Sequence, residues 1–276
     1  MIERPVIILS LPRTGSTMLF DALAQSPTLY TIGGESHVVI EGMEQLRAER
    51  RGYESSRLTA TDATPEVAAT LTARFHAILR DRNNVRAAGT VRMLEKTPRN
   101  ALRVPFLDAV FPDALFLYLH RDPRSTISSM LDAWRSPWLA TYPTLPGWRG
   151  HPWSMLLVPG WRELNGRPLA EIVAAQWATT TRILLDDLAS IRSDRICATT
   201  YDALVAAPQR ELERLCAFAG AAWDRVIPGR LPVSRTALTL PDQSKVARNE
   251  ADLSIAMPLV EEVAAREQEW LERVQA

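Results

Sequence analysis

The chain has 276 residues, 46% of them hydrophobic, and its 32 Lys and Arg balance 32 Asp and Glu. That length and apolar content suffice for a buried core, so wholesale disorder is excluded. Zero net charge excludes a global basic field of the kind that draws nucleic acid or an anionic membrane. Any anion site must be built locally.

Val6-Ile7-Ile8-Leu9 is a short apolar run ending in a polar loop, which predicts a buried parallel strand. Residues 10–16 form the loop, and Leu19, Leu23 and Ala24 mark a helix after it. Strand, tight loop and helix open a doubly wound fold. Residues 38–50 and 64–80 are predicted helical, punctuated by Gly52 and Pro65. Residues 91–96 and 114–119 predict two more strands. Helices are expected after each, from Thr97-Pro98 and from Asp122-Pro123.

Residues 136–168 carry Pro137, Pro143, Pro146, Pro152, Pro159 and Pro168 and little periodicity, so they read as a long irregular insertion. A helix over 169–188, a strand over 196–199 and helices over 208–219 and 250–272 complete the chain. No repeat or linker divides it. The expectation is one α/β domain over 1–276: a P-loop-like three-layer fold with a central parallel sheet flanked by helices.

Cys197 and Cys216 are too few for a disulfide framework or a metal cluster, and no metal is expected. The first residues lack the pattern of a signal peptide, and no apolar run reaches the ~20 residues of a membrane span. A cytoplasmic protein without membrane insertion is expected.

The loop Ser10-Leu11-Pro12-Arg13-Thr14-Gly15-Ser16-Thr17 lies between a strand and a helix N-terminus. Backbone N–H groups and the helix dipole make such a position an anion cradle. Gly15 lets the backbone come close, Arg13 adds a charged fork, and Ser16 and Thr17 add hydroxyl donors. The NTPase pattern fails, because Ser10 stands at its first Gly and Ser16 at its Lys. A second candidate follows the strand ending at Leu119: Arg121-Asp122-Pro123, with Ser129 two helical turns on. Taken singly, it is equally an ordinary helix start capped by Asp122.

Together the two sites resemble those of sulfotransferases that use 3′-phosphoadenosine-5′-phosphosulfate (PAPS). In that family a P-[KR]-[ST]-G-[ST]-T loop holds the 5′-phosphosulfate, and an R-[DN]-P element with a following Ser holds the 3′-phosphate. Pro12-Arg13-Thr14-Gly15-Ser16-Thr17 and Arg121-Asp122-Pro123 with Ser129 match both. Within the family the chain resembles the protein-tyrosine sulfotransferases and their bacterial relatives. The likeness implies that Glu35, in Gly34-Glu35-Ser36, is the catalytic base. It implies that Lys96, in Lys96-Thr97-Pro98, is the catalytic cation beside Arg13, and that Tyr201 lies near the nucleotide. Lys245 falls in a polar segment of the kind that closes over the nucleotide. The chain departs from those relatives at Ala133 and at His37, where they carry Arg. His37 is therefore an acceptor-side residue or, as in cytosolic small-molecule sulfotransferases, a rival base.

The implied reaction is transfer of a sulfuryl group from PAPS, leaving PAP, to a hydroxyl. Trp134, Trp138, Trp148, Trp153, Trp161 and Trp177 cluster in or beside the insertion, six of the chain's eight tryptophans. They suggest a mobile lid over a small, largely apolar acceptor, with Trp148 and Trp153 in contact with it. A tyrosine peptide as acceptor, a non-catalytic PAP or nucleotide binder, and a P-loop kinase remain the alternatives.

Overall fold

The computed structural model describes residues 1–232 and 244–275, the side chains of residues 244 and 245 excepted. The chain opens with β1 (Val6–Leu9), α1 (Ser16–Leu23), β2 (Leu29–Tyr30) and the single turn α2 (His37–Ile40). Then come α3 (Pro65–Ile78), β3 (Arg92–Lys96), α4 (Val104–Val110), β4 (Leu115–His120) and α5 (Pro123–Arg135). A small antiparallel pair, β5 (Ala140–Tyr142) and β6 (Trp153–Ser154), lies within the insertion. The rest is α6 (Leu169–Leu188), β7 (Ile196–Thr200), α7 (Tyr201–Ala206), α8 (Pro208–Ala219), α9 (Ser244–Arg248) and α10 (Glu250–Gln275).

β2, β3, β1, β4 and β7 form one sheet in that order, and every pairing is parallel. The order places β1 at the centre, so the loop after it opens at the middle of the sheet's carboxyl edge. Side chains alternate across a strand, and the two faces have separate partners. Val6, Ile8, Leu94, Leu117 and Leu119 pack with Leu19, Phe20, Leu204, Leu212 and Leu215 of α1, α7 and α8. Ile7, Leu9, Met93, Phe116 and Tyr118 pack with the helices of the other layer, including Phe75, Phe106, Ile127, Val173 and Val260. The architecture is thus a three-layer α/β fold.

Most predicted elements stand within a residue or two of their expected bounds. The main departure is 38–50, expected as one helix. Only α2 is α-helical there, followed by isolated 3₁₀ turns at Glu44–Leu46 and Glu49–Arg51. Gly42 accounts for the break. A Cβ at that position would come within 2.6 Å of the Val38 carbonyl oxygen, so the chain turns through a spot only glycine fits. The helix expected from Thr97-Pro98 is a 3₁₀ turn, Pro98–Leu102, before α4.

The insertion is anchored by its aromatic rings. Trp134, Trp148, Trp153 and Trp161 pack together, edge to face in every pair but the tilted Trp134–Trp148, with the Trp148 and Trp153 centroids 4.9 Å apart. Trp153 is 0% exposed, and its indole N–H donates to the Leu156 carbonyl at 3.1 Å. Trp161 is equally buried and donates to the Tyr53 carbonyl at 2.7 Å. Gln176 of α6 ties the group to the core. It accepts from the Trp134 indole at 3.0 Å and donates to the Ser154 and Leu156 carbonyls. Trp153 is therefore a core residue and not an acceptor contact, which corrects the lid expectation at that position. Trp153→Ala should destabilise the protein by about 3–5 kcal/mol, the cost of emptying a close-packed aromatic site. Urea unfolding followed by far-UV circular dichroism measures it, and a loss under 1 kcal/mol would return Trp153 to the surface.

Candidate active site

Three chain segments meet at the carboxyl edge of the sheet. The loop after β1 brings Arg13 to Thr17, the end of β3 brings Lys96, and the end of β4 with α5 brings Arg121 and Ser129. The loop is a tight turn: Arg13 has φ 70° and Gly15 has φ 95°. A left-handed Arg costs on the order of 1–2 kcal/mol, strain typical of functional loops. The Thr14 hydroxyl donates to the Leu11 carbonyl at 2.9 Å and so braces the loop from within. Gly15 is the residue before α1, and its carbonyl accepts from the Met18 and Leu19 amides. Ser16 is buried and Thr17 half-buried on the first turn.

Arg121 donates to the Arg13 carbonyl at 3.0 Å, and Arg13 Nε donates to the Ser129 hydroxyl at 3.3 Å. The two predicted anion sites are thus one continuous cradle. Burial and the Arg121 charge hold the Arg13 pKa below its ordinary value, with Asp132 partly offsetting them. Two guanidinium groups kept this close favour an anion between them. Tyr201 forms the wall. Its ring lies 4.5 Å from the Arg121 guanidinium, and a Cβ on Gly15 would fall 2.7 Å from its Cδ2. Gly15 is required twice, for its left-handed backbone and for this close approach.

Lys96 completes the edge. Its side chain is 3% exposed, and its ammonium donates to Glu35 Oε1 at 2.8 Å and to Thr17 Oγ1 at 3.1 Å. Glu35 is about one-third exposed, and its other oxygen lies 3.8 Å from Nδ1 of His37. A cation buried at the foot of the loop, holding a half-open carboxylate, links the cradle to the solvent side.

A family model for the sulfotransferase family matches residues 5–225. The chain belongs to the sulfotransferase family. This sulfotransferase also resembles solved structures at the level of the fold. The sulfotransferase domain of the curacin biosynthetic pathway is 18% identical, with TM-score 0.52, over 97% of this chain and 98% of that one. A sulfotransferase from Mycobacterium tuberculosis is 18% identical, with TM-score 0.50, over 95% of this chain and 76% of that one. No curated protein matches the sequence.

Behind the edge lies a layer that sequence reasoning missed. Glu95 is buried at the end of β3 and accepts from the Ser36 hydroxyl at 2.5 Å, the Thr97 hydroxyl at 2.8 Å and the Asn100 side chain. Burial pushes the Glu95 carboxyl up, and its hydroxyl donors and Lys96 only partly offset this. Glu41 accepts from Arg103 at 2.6 Å and from Arg99. Asn249 donates to the Ser128 hydroxyl at 3.0 Å and to Asp132 at 3.0 Å, tying the start of α10 to the helix that carries Ser129. The readable signal was two consecutive charged residues, Glu95 and Lys96, directly after the apolar Met93-Leu94. Strand alternation sends them to opposite faces of a sheet covered on both sides, and both are buried.

Trp148 is half-buried and donates to the His151 carbonyl at 2.7 Å. With Tyr53, Leu145 and Pro152 it lines an open depression of ≈ 600 Å³. Lys245 lies outside the residues whose side chains are described. Among the described residues no group of three or more His, Cys, Asp or Glu could hold a metal ion. Among them, too, no helix is long and apolar enough to cross a membrane.

Burial pushes the Glu41 carboxyl up, but Arg103 and Arg99 outweigh it and hold the group below its ordinary value of 4.5. A depressed folded pKa gives stability that is present above that value and is lost as the pH falls through the lowered one. Glu41→Gln should therefore lower the urea midpoint at pH 7, and the gap to wild type should close in strongly acidic buffer. A gap independent of pH would mean that Glu41 acts through shape alone.

Proposed function

We propose that this sulfotransferase moves the sulfuryl group of PAPS to a hydroxyl of a small, largely apolar acceptor. The observation that carries the reading is the unbroken polar chain Ser129–Arg13–loop–Thr17–Lys96–Glu35, whose links are 3.3, 3.1 and 2.8 Å where side chains meet. One end of that chain offers two guanidiniums and a hydroxyl for a phosphate. The other end offers a buried ammonium and a carboxylate within reach of each other. A nucleotide with a 3′-phosphate and a 5′-phosphosulfate asks for both ends at once.

The acceptor oxygen attacks sulfur, the new S–O bond forms, and the S–O bond to the phosphate of PAP breaks. Glu35 takes the acceptor proton, a role worth ~10²–10⁴-fold. Lys96 and Arg13 neutralise charge on the bridging oxygen and the moving SO₃ group. Arg121 and Ser129 hold the 3′-phosphate, and the Gly15, Ser16 and Thr17 N–H groups hold the 5′ end at the start of α1. His37 stands beside Glu35 and flanks the acceptor. Of the two candidates for the base, Glu35 is favoured by its contact with Lys96.

A small, weakly charged acceptor fits the arginines around the insertion better than a polyanionic sugar does. Arg135 is paired with Asp252 at 2.6 Å, Arg162 with Glu54 at 3.3 Å and Arg167 with Glu171 at 3.7 Å. A polyanion gripped by those three side chains would have to break their pairs.

PAP should bind much more tightly than AMP, which lacks the 3′-phosphate. Arg121→Ala should remove most of that difference, of order 2–5 kcal/mol for a buried charge pair. Isothermal calorimetry with both nucleotides decides it, and equal affinities for PAP and AMP in the wild type would sink the assignment.

Turnover is tested with PAPS and a panel of 4-nitrophenol, 2-naphthol and long-chain alcohols, read as a mass gain of one SO₃. Glu35→Gln should lower kcat by about 10²-fold or more and leave PAP affinity nearly unchanged. If His37→Ala is the crippling change instead, His37 is the base.

A further inference from the structure

Glu35 needs something to hold it in place. It follows Gly33 and Gly34, and a Cβ added to either would meet nothing within 4 Å. Neither glycine has a side chain to anchor the stretch, and Gly33 is exposed. After Glu35 comes Ser36, fully buried, and then the single turn α2. Ser36 is the fully buried point at which this stretch meets the core.

The pinning is polar and comes from the same strand end that supplies Lys96. Glu95 and Lys96 are consecutive, so their side chains leave β3 on opposite faces. Lys96 turns toward the loop and the Phe20 ring, 6.0 Å away. Glu95 turns to the face of Ile7, its partner in register. Glu35 and Ser36 are also consecutive, and they meet the strand end in the reverse order. Glu35 bonds Lys96 on one side, and Ser36 bonds Glu95 on the other. This pair thus straddles the end of β3. Thr97 closes the second latch: its oxygen accepts from the Ser36 amide at 2.7 Å while its hydroxyl donates to Glu95. Asn100 donates to the remaining Glu95 oxygen.

An ionisable group buried at a strand end is costly, and an apolar side chain there would stabilise the fold at least as well. Here one of the carboxylate's three donors, Ser36, belongs to the segment that carries Glu35, and a second, Thr97, also accepts from the Ser36 amide.

We propose that Glu95, acting with Thr97 through the Ser36 hydroxyl and amide, is a positioning residue that holds Glu35 against Lys96 in the geometry needed for turnover. The proposal rests on the reading of Glu35 as the base.

The test removes the latch without touching the base. Ser36→Ala deletes the hydroxyl that Glu95 holds, and Ser36→Thr keeps it. Thr97→Val, which takes the acceptor from the Ser36 amide, serves if Ser36→Ala does not fold. The probe is PAPS with whichever phenol of the panel above turns over fastest, and Glu35→Gln is run beside it.

Loss of the latch should lower kcat on the order of 10–100-fold, the size expected of an ångström-scale misplacement. KM for PAPS and the calorimetric affinity for PAP should stay within about two-fold, since the cradle is not touched. Ser36→Thr should recover most of the rate. A merely structural role would lower the melting temperature and leave kcat where it is, and that result overturns the proposal. If Glu35→Gln turns over normally, the base assignment and the positioning role fall together. If Glu35→Gln is inactive while Ser36→Ala and Thr97→Val keep wild-type kcat, only the positioning role falls.

Discussion

Two like charges held side by side govern this site. Arg13 and Arg121 come from loops 108 residues apart, yet Arg121 donates to the Arg13 carbonyl and its charge bears on the Arg13 guanidinium. Without help such a pair would splay apart. The parallel sheet prevents it by ending β1 and β4 side by side, with Leu9 opposite Tyr118. Tyr201 supplies a ring for Arg121 to lie on, Ser129 accepts from Arg13, and Asp132 supplies a compensating charge. Asn249 bonds that Asp132 and the residue before Ser129, so the C-terminal helix takes part in keeping the cradle shut. An anion binding here meets donors already assembled, and relief of repulsion adds to each hydrogen bond.

The sheet edge also explains how a buried ammonium comes to touch both halves of the site. β3 lies beside β1, so Lys96 emerges next to the loop and reaches Thr17 and Glu35 together. Alternation gives β3 two outputs, a cation on one face and a carboxylate on the other. Paired segments that cross the end of a strand in register, as residues 35–36 cross residues 95–96, transmit position without a long packed interface. This suits a group that must remain half-open to solvent.

Much of the fold was legible because the elements carry strong local signals. The apolar run of β1, the Asp122-Pro123 start of α5 and the unbroken apolar periodicity of α6 needed no tertiary information. Asp122 does cap α5, accepting from the Ser125 amide at 2.8 Å. The 38–50 segment failed because periodicity cannot report a steric bar, and the bar at Gly42 comes from the Val38 and Val39 carbonyls. At the site, the residues read from motifs do stand together at one sheet edge. The supporting layer did not show in the sequence, since Ser36, Thr97, Asn100 and Asn249 are ordinary polar residues until the fold sets them against a buried charge.

The tryptophans show the limit of reading composition as function. Six rings in a Pro-rich stretch resembled a surface made for an apolar acceptor, and four of them have instead become each other's partners. An insertion with only short 3₁₀ turns and two short strands satisfies little of its backbone by regular structure, and large rings with one N–H each substitute for it. Trp148, Trp153 and Trp161 each bury a face on a neighbour and spend the indole N–H on a carbonyl of irregular chain. Trp138 is the contrast: at 89% exposed, on the turn directly after the helix that carries Ser129, it has no such duty in the core. Whatever the insertion contributes to acceptor choice must therefore come from its rim, where Trp138 and the open side of Trp148 remain, while its centre holds the rim in register with the sheet edge.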